Sequence, residues 1–375
     1  MGKIRISFSA FLGMVLATAA VLPGRQKPNP AVTSVKDGVK TIMNPDYPKD
    51  GRFVAKLTVE MSCGEETTPE EAMFNKPLDL KVDAQGRIYV MDWGDMHIKV
   101  YDGKGVFLRT LSRQGQGPGE FDTPAFFSLM TDGRICILDG RQRRVSLLTN
   151  EGQYLSSFPL EAFYRSLAVD EQNRLYLAKW ETAGELKLST EYREIPYVTR
   201  IYRTDASGKD MIHLADFLGE SMIMKAVGQG SVSAGGLYTI AWNVSRQGKI
   251  YGGYNENYLL TAYGMDGNPE FAFGREFAPL RNPKYSGQVG QKKTMPAFNR
   301  TIVFDDEDNL WVELYKDEKT TAYTYDVFSP DGIFLKQVKL DVRIYAFLEG
   351  KLYSLVRPED GYPSVKRFRM DLVPD

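Results

Sequence analysis

Cysteine and histidine are scarce in this chain, with two of each among 375 residues. Cys63 and Cys136 could make one bridge at most, so the protein is not a disulfide scaffold. Cys136 lies in the apolar run "GRICILD", where a buried thiol is the expected state and a bridge to Cys63 the alternative. With only His97 and His213, one chain cannot assemble a three-histidine zinc site. Charge of one sign is lacking too. Lys and Arg total 47 against 48 Asp and Glu, a net charge of -1, which removes the electrostatic basis for general nucleic-acid binding. Beyond residue 22 no run is long and apolar enough to span a bilayer. No G-x-S-x-G nucleophile turn occurs.

The N-terminus is different in kind. Lys3 and Arg5 precede an uncharged run from Ile6 to Leu22, with small residues at Ala17–Ala20. This pattern reads as a secretory signal over residues 1–20, cleaved near Ala19 or Ala20. An uncleaved anchor is the alternative, because the run is only slightly short of the roughly 20 residues that cross a membrane. The expected location is the periplasm, the cell surface or the medium. No cysteine directly follows the signal, the first being Cys63, which argues against a lipoprotein. Residues 21–51, rich in Pro, Lys and Asp, are expected to be a loosely ordered lead-in to a folded domain over 52–375.

What is abundant points to β-structure. Aromatics make up 12% of the chain, and 34 Gly and 19 Pro suit frequent turns. One phrase recurs six times: an apolar run, a polar turn, then a second apolar run. It reads "LDLKVDAQGRIYVMD", "FSLMTDGRICILD", "SLAVDEQNRLYLAK", "IAWNVSRQGKIYGGY", "TIVFDDEDNLWVEL" and "IYAFLEGKLYSLV". Each copy is a hairpin by its turn chemistry, and in five of them a second hairpin follows, as "HIKVYD", "GKG" and "VFLRTL" follow the first. Four strands per unit of roughly 40 residues is the period of a propeller blade. The sixth unit is one strand short where the chain ends after "SVKRFRMDL", and "FVAKLTVEMS" (Phe53–Ser62) occupies the slot of the missing outer strand. The expectation is all-β: a six-bladed β-propeller of four-stranded antiparallel blades, closed by an N-terminal strand that completes the last blade and hides its edge.

The stretch "GQGPGEFDTP" (Gly115–Pro124) could pass for a phosphate-binding loop. It lacks the required Lys, and another strand rather than a helix follows it, so it reads as a blade-to-blade connector with Pro124 setting the entry of the next strand. Together with "DGRICILDGRQRRVSLLTNEGQYL", it resembles an NHL repeat of the six-bladed, TolB-like propeller superfamily. The resemblance is closest over residues 77–160, while the blade rhythm extends over 52–373. It implies the propeller fold and an exported bacterial surface or periplasmic protein, and it is almost silent on activity. Lactonase-like and strictosidine-synthase-like relatives work at the channel mouth, the former with a divalent metal held by carboxylates and amides. That leaves open a Ca²⁺ site of Asp, Glu and Asn ligands, and with it a metal-dependent hydrolase, lactonase or lyase acting on a small molecule in the channel. The two histidines exclude the His-rich zinc site of an amidating-lyase relative. No other cofactor is expected.

Propeller ligands usually bind at the end lined by the blade-to-blade connectors and by the loops between second and third strands. In the first two units those loops carry Trp93, Asp95, His97, Arg141 and Arg143. The third and fourth units contribute Trp180, Glu181, Asn255 and Glu256, and the last two Tyr315, Lys316, Arg357 and Tyr362. Two connectors are long, Gly219–Gly236 and Leu280–Phe298, and both are expected on this rim as mobile, structureless loops. The second carries Lys292 and Lys293, a cationic pair that would favour an anionic partner. The acidic "DDEDN" (Asp305–Asn309) occupies the turn between first and second strands, at the opposite end, and reads as a hairpin turn rather than a calcium loop. The functional expectation is an exported, non-catalytic, monomeric binding propeller that recognises a protein, peptide or glycan at the channel mouth.

Overall fold

The computed structural model describes residues 30–65, 69–184, 187–188, 192–219, 222–227, 230–234, 239–286, 292–316, 320–359 and 361–375. The expected signal at 1–20 lies outside them. The chain opens with β1 (Val32–Lys36), β2 (Val39–Asn44) and β3 (Gly51–Cys63). Blade one follows as β4 (Pro77–Val82), β5 (Ile88–Asp92), β6 (His97–Tyr101) and β7 (Phe107–Leu111). Blade two is β8 (Pro124–Leu129), β9 (Ile135–Asp139), β10 (Arg144–Leu148) and β11 (Tyr154–Pro159). Blade three uses β12 (Tyr164–Val169), β13 (Leu175–Thr182), β16 (Tyr197–Thr204) and β17 (Ile212–Leu218). Between and after these lie β14 (Lys187–Leu188), β15 (Tyr192–Ile195), β18 (Met222–Val227) and β19 (Gly230–Ala234). Blade four is β20 (Ile240–Val244), β21 (Ile250–Tyr254), β22 (Leu259–Tyr263) and β23 (Pro269–Arg275). Blade five is β24 (Phe298–Phe304), β25 (Leu310–Leu314), β26 (Tyr323–Phe328) and β27 (Phe334–Leu340). Blade six is β28 (Ala346–Leu348), β29 (Lys351–Val356), β30 (Ser364–Pro374) and, as its outer strand, β3. The innermost strands touch in ring order, and β28 returns against β4. The chain is a six-bladed β-propeller.

Burial explains the recurring phrase. Second strands are sandwiched between neighbouring blades, so every residue of Ile88–Asp92 and of Ile135–Asp139 is buried and the sequence there runs apolar without alternation. Outer strands face water on one side and alternate, as Phe107–Leu111 does. The polar turn is a side-chain device. Asp83 Oδ1 accepts from the Gln85 and Arg87 amides, and its Oδ2 accepts from Arg87 Nε at 2.6 Å and the Tyr89 hydroxyl at 3.2 Å. Asp170 does the same with Gln172, Arg174 and Tyr176. Asp305 repeats it with Glu307, Asn309 and Trp311, so "DDEDN" is a hairpin turn whose first carboxylate already has four donors. These Asx turns fix the reversal locally, before any blade packs.

Closure follows the expected pairing. β3 runs antiparallel to β30 from Phe53 opposite Pro374 to Cys63 opposite Val365. A bulge interrupts the register at Glu60, whose carboxylate meets Lys351 Nζ at 2.8 Å. Of the lead-in expected to be loosely ordered over 21–51, residues 21–29 lie outside the described residues, and the described part departs from that expectation. β1 and β2 form a hairpin whose second strand adds in parallel to β23, and Gly51–Val54 also pairs in parallel with β27. The segment therefore straps the outer edges of blades four, five and six in turn. Asn44, buried between the first two, donates to the Gly274 and Gly332 carbonyls at 2.8 Å and accepts from the Phe334 amide at 3.0 Å. Below it Asp326, fully buried, receives Arg275 Nε at 2.5 Å, the Tyr258 hydroxyl at 2.6 Å and Gln337 Nε2 at 2.8 Å. Full satisfaction is what makes such a buried pair tolerable.

The connector Gly219–Gly236 also corrects an expectation, since it is not structureless. Its described part holds β18 and β19, which join β14 and β15 from the loop inside blade three in a separate four-stranded sheet. The rest of that connector, and residues 287–291 of the other, lie outside the described residues. Cys63 and Cys136 sit in blades six and two, both buried and unbridged.

The strap and the closing strand can be tested separately. Removing residues 1–44 takes away the strap but leaves the closing strand, and should lower Tm by roughly 5–10 °C, in line with a few unsatisfied buried groups. Removing residues 1–62 exposes the edge of β30 and should abolish a cooperative melt; a truncated protein that melts like the intact chain would refute closure. Burial also pushes the thiols of Cys63 and Cys136 up to about 12. Neither should react with a disulfide reagent at pH 8 in the native protein, and both should react in denaturant. Rapid native labelling of either would show that its blade opens.

Candidate functional site

Connectors between blades and loops between second and third strands leave at one end of the ring, and this end is held down by carboxylates at the ends of second strands. Asp92 accepts from the Asn75 and Lys76 amides at 2.7 Å, tying the connector that enters blade one. Asp139 accepts from Asp122 at 2.8 Å and from the Arg141 and Gln142 amides, tying the connector that enters blade two. The "GQGPGEFDTP" stretch is part of that connector. Its Gly117 amide donates to Glu120 Oε2 at 2.9 Å and Arg113 Nε to Glu120 Oε1 at 2.6 Å, so the loop cradles its own carboxylate.

Innermost strands enter the ring from this end, and most of them enter with a bulge. Pro77 opposes Asp92 and Asp79 opposes Met91, leaving Leu78 as the extra residue; Ala125 and Arg165 hold the same place in blades two and three. In blade five the three residues 299–301 face Glu313 alone. Asn299 Nδ2 and Arg343 Nε bind the two oxygens of buried Glu313 at 2.5 and 2.7 Å, and Arg343 Nη2 donates to Thr301 Oγ1 at 2.8 Å. Arg300, between them, is exposed. A bulge turns a side chain that alternation would bury out toward the mouth.

The residues singled out from sequence divide sharply here. Several are structural. Asn255, expected at the surface, is buried; its Oδ1 accepts from the Thr239 amide at 2.8 Å and its Nδ2 donates to the Phe298 carbonyl at 2.9 Å. Lys292, expected to be mobile and cationic, meets Glu256 Oε1 at 2.9 Å, and its connector is pinned by Asn282 Nδ2 to the Lys292 carbonyl. Lys293 is exposed. Asp95 receives Lys99 Nζ at 2.7 Å and Asn75 Nδ2 at 3.1 Å. Burial alone would raise its pKa, but those two donors outweigh it and hold the carboxyl below its ordinary value. Glu181 pairs with Lys179 at 2.6 Å and with Arg200, and the Lys179 hydrogen bond likewise holds it low. Arg141 lies 3.2 Å from Asp122, Arg357 donates to the Pro77 carbonyl across the closure, and Lys316 Nζ sits 3.7 Å above the Tyr323 ring beside Tyr315. Trp93, Arg143, Trp180 and Tyr362 present themselves to solvent.

Asp95 and Glu181 are held low by their partners, and Asp92, Asp139 and Glu313 each receive donors on both oxygens, an arrangement that fixes the rim. Among the described residues no group of three His, Cys, Asp or Glu could hold a metal ion. A cavity of about 740 Å³ bounded by Glu70, Glu71, Asp95, His97 and Lys99 opens on the same end, outward of the channel beside Thr110 of the outer strand β7. Sequence reasoning missed Asp92, Asp139, Glu313 and Arg165. The first two did leave a signal, a terminal Asp closing the first two repeat phrases.

The DUF5128 family profile, described as a 6-bladed β-propeller, matches residues 66–223. No curated protein sequence matches the chain. Among solved structures, a putative exported protein from Bacteroides fragilis aligns at 10% identity and a TM-score of 0.51, covering 88% of this chain and 98% of its own. A member of the DUF4221 family from Bacteroides vulgatus aligns at 9% identity and a TM-score of 0.55, covering 86% of this chain and 99% of its own. At these identities the likeness is one of fold.

The Lys292–Glu256 pair yields a test of the rim. Because both side chains are partly exposed, the pair contributes at most about 1 kcal/mol. Lys292→Glu should speed limited proteolysis within 276–297 by up to about fivefold, and adding Glu256→Lys should restore the slow rate. Equal rates in all three proteins would mean that the pair does not hold the connector.

Proposed function

We propose that this propeller is an exported, non-catalytic binding protein whose ligand seats at the mouth. One observation carries the reading. Among the described residues, both exposed tryptophans, Trp93 and Trp180, and the exposed phenylalanine, Phe163, belong to this end of the ring, with Tyr362 and the bulge residue Leu78. Large apolar side chains left in water on one face mark interaction surfaces, and aromatics dominate such surfaces. The remaining exposed large side chains, tyrosines included, lie mostly on outer strands and the N-terminal strap, as Val35, Tyr47, Leu108, Tyr154 and Leu155 do. The ligand is a protein, peptide or glycan; the NHL-like repeat and the signal-like residues 1–20 support export. The engaged carboxylates weigh against the hydrolase or lyase reading.

The test is calorimetric titration of envelope-derived glycans and peptides into the mature protein and into a Trp93→Ala, Tyr362→Ala variant. One class should bind saturably, and the variant should bind it at least about tenfold more weakly, as expected for two interface anchors, with an unchanged melt. Turnover of the ligand by the purified protein would overturn the non-catalytic reading, and undiminished binding by the variant would move the site elsewhere.

A further inference from the structure

A column of stacked groups runs along the mouth end of blade three. It starts at Gly140, where a Cβ would lie 2.7 Å from the Phe163 ring, so a missing side chain lets the ring rest on the backbone. The Arg165 guanidinium carbon stands 5.2 Å from the Phe163 centroid and 4.0 Å from the Trp180 centroid. Trp180 packs on Tyr197 at 5.3 Å with the rings tilted by 33°. Tyr197 rests in turn on Gly219, where a Cβ would fall 2.5 Å from it. The column is bounded by a glycine at each end, yet Phe163 stays 49% exposed and Trp180 37%.

Arg143 and Arg300 stand exposed at this end and form no ion pair with a described residue, so lack of a counter-charge alone does not single out the column's one cation, Arg165. Arg141 has Asp122, Arg200 has Glu181 and Arg343 has Glu313. Arg165 has two rings, and no described residue accepts a hydrogen bond from it or forms an ion pair with it. Burial lowers its pKa with no opposing charge, and the nearby Glu181 is already held by Lys179 and Arg200. Ring faces attract a guanidinium, restrict its motion and strip part of its hydration, while leaving its planar fork of N–H donors without a partner. The bulge puts Arg165 where the innermost strand of blade three begins, at the mouth end of the ring.

We propose that Arg165, held against Phe163 and Trp180, is the anion-recognising residue of the mouth and takes a carboxylate or phosphate group of the ligand in bidentate fashion. The inference rests on reading the mouth as a binding surface, and it assigns the charge preference to Arg165 instead of Lys292 and Lys293, the first of which already pairs with Glu256. A planar fork matches an oxyanion in a way that an ammonium does not.

The test follows the Arg165 Nε–H resonance by NMR, assigned with Arg165→Lys, while glucuronate, glucose 6-phosphate or glucose is added at constant ionic strength. Saturable shifts with glucuronate assign a carboxylate, and with glucose 6-phosphate a phosphate; glucose should give none. Calorimetry of the effective anion should show at least about tenfold weaker binding by Arg165→Lys, which keeps the charge but loses the fork. Absence of any anion-specific shift, or binding by Arg165→Lys within twofold of the parent, overturns the proposal. Because Trp93 and Tyr362 lie outside the column, loss of ligand binding in their double variant would leave the general reading standing even then. An Arg165 response with no effect of that double variant would do the reverse.

Discussion

Everything in this ring depends on one antiparallel pairing, β3 against β30. Six wedges held together only by blade-to-blade packing could open at any junction, because each blade is a hairpin ladder made from contiguous chain. Placing the outer strand of blade six at the start of the domain makes its two ends mutual partners, from Phe53 opposite Pro374 to Cys63 opposite Val365. The strap before it extends the same logic, with Asn44 satisfying backbone groups of two further blades. Opening the ring would leave a row of unpaired amides and carbonyls in water-accessible edges, which is what keeps it shut.

Both ends of the ring use carboxylates to hold backbone, but to different effect. At the turn end Asp83, Asp170 and Asp305 organise their own hairpins over a few residues. At the mouth end Asp92 and Asp139 reach across the chain to the preceding connector, so the rim is fixed to the second strands rather than floating. A carboxylate that receives several N–H donors is held in place.

That rim pairs its carboxylates and leaves its aromatics uncovered. The bulges entering blades one, three and five turn out residues that strict alternation would have buried or hidden between blades. In blade three the turned-out residue is a cation with only rings for company, a combination that stores binding capacity for an anionic group.

The strand positions were legible in the sequence because they are local. An Asx turn followed by a fully apolar five-residue run states its own hairpin, and repetition at blade period states the ring. Closure was legible too, since a missing outer strand at one end and a spare strand at the other have only one solution. The hairpin Val32–Asn44, the four-stranded sheet of β14, β15, β18 and β19, and the Lys292–Glu256 pair were not legible. Each depends on which distant edge or charge happens to lie alongside, and residues such as Pro30, Lys36 and Asp37 look the same in a loose leader as in a docked hairpin. Asn255 and Arg165 show the limit most directly. Composition places both among polar residues near the mouth, yet burial and two backbone bonds make the first a structural tie, while one extra residue in a strand leaves the second without a counter-charge. Side-chain type is written in the sequence; whether its charge is already matched is decided only when the blades come together.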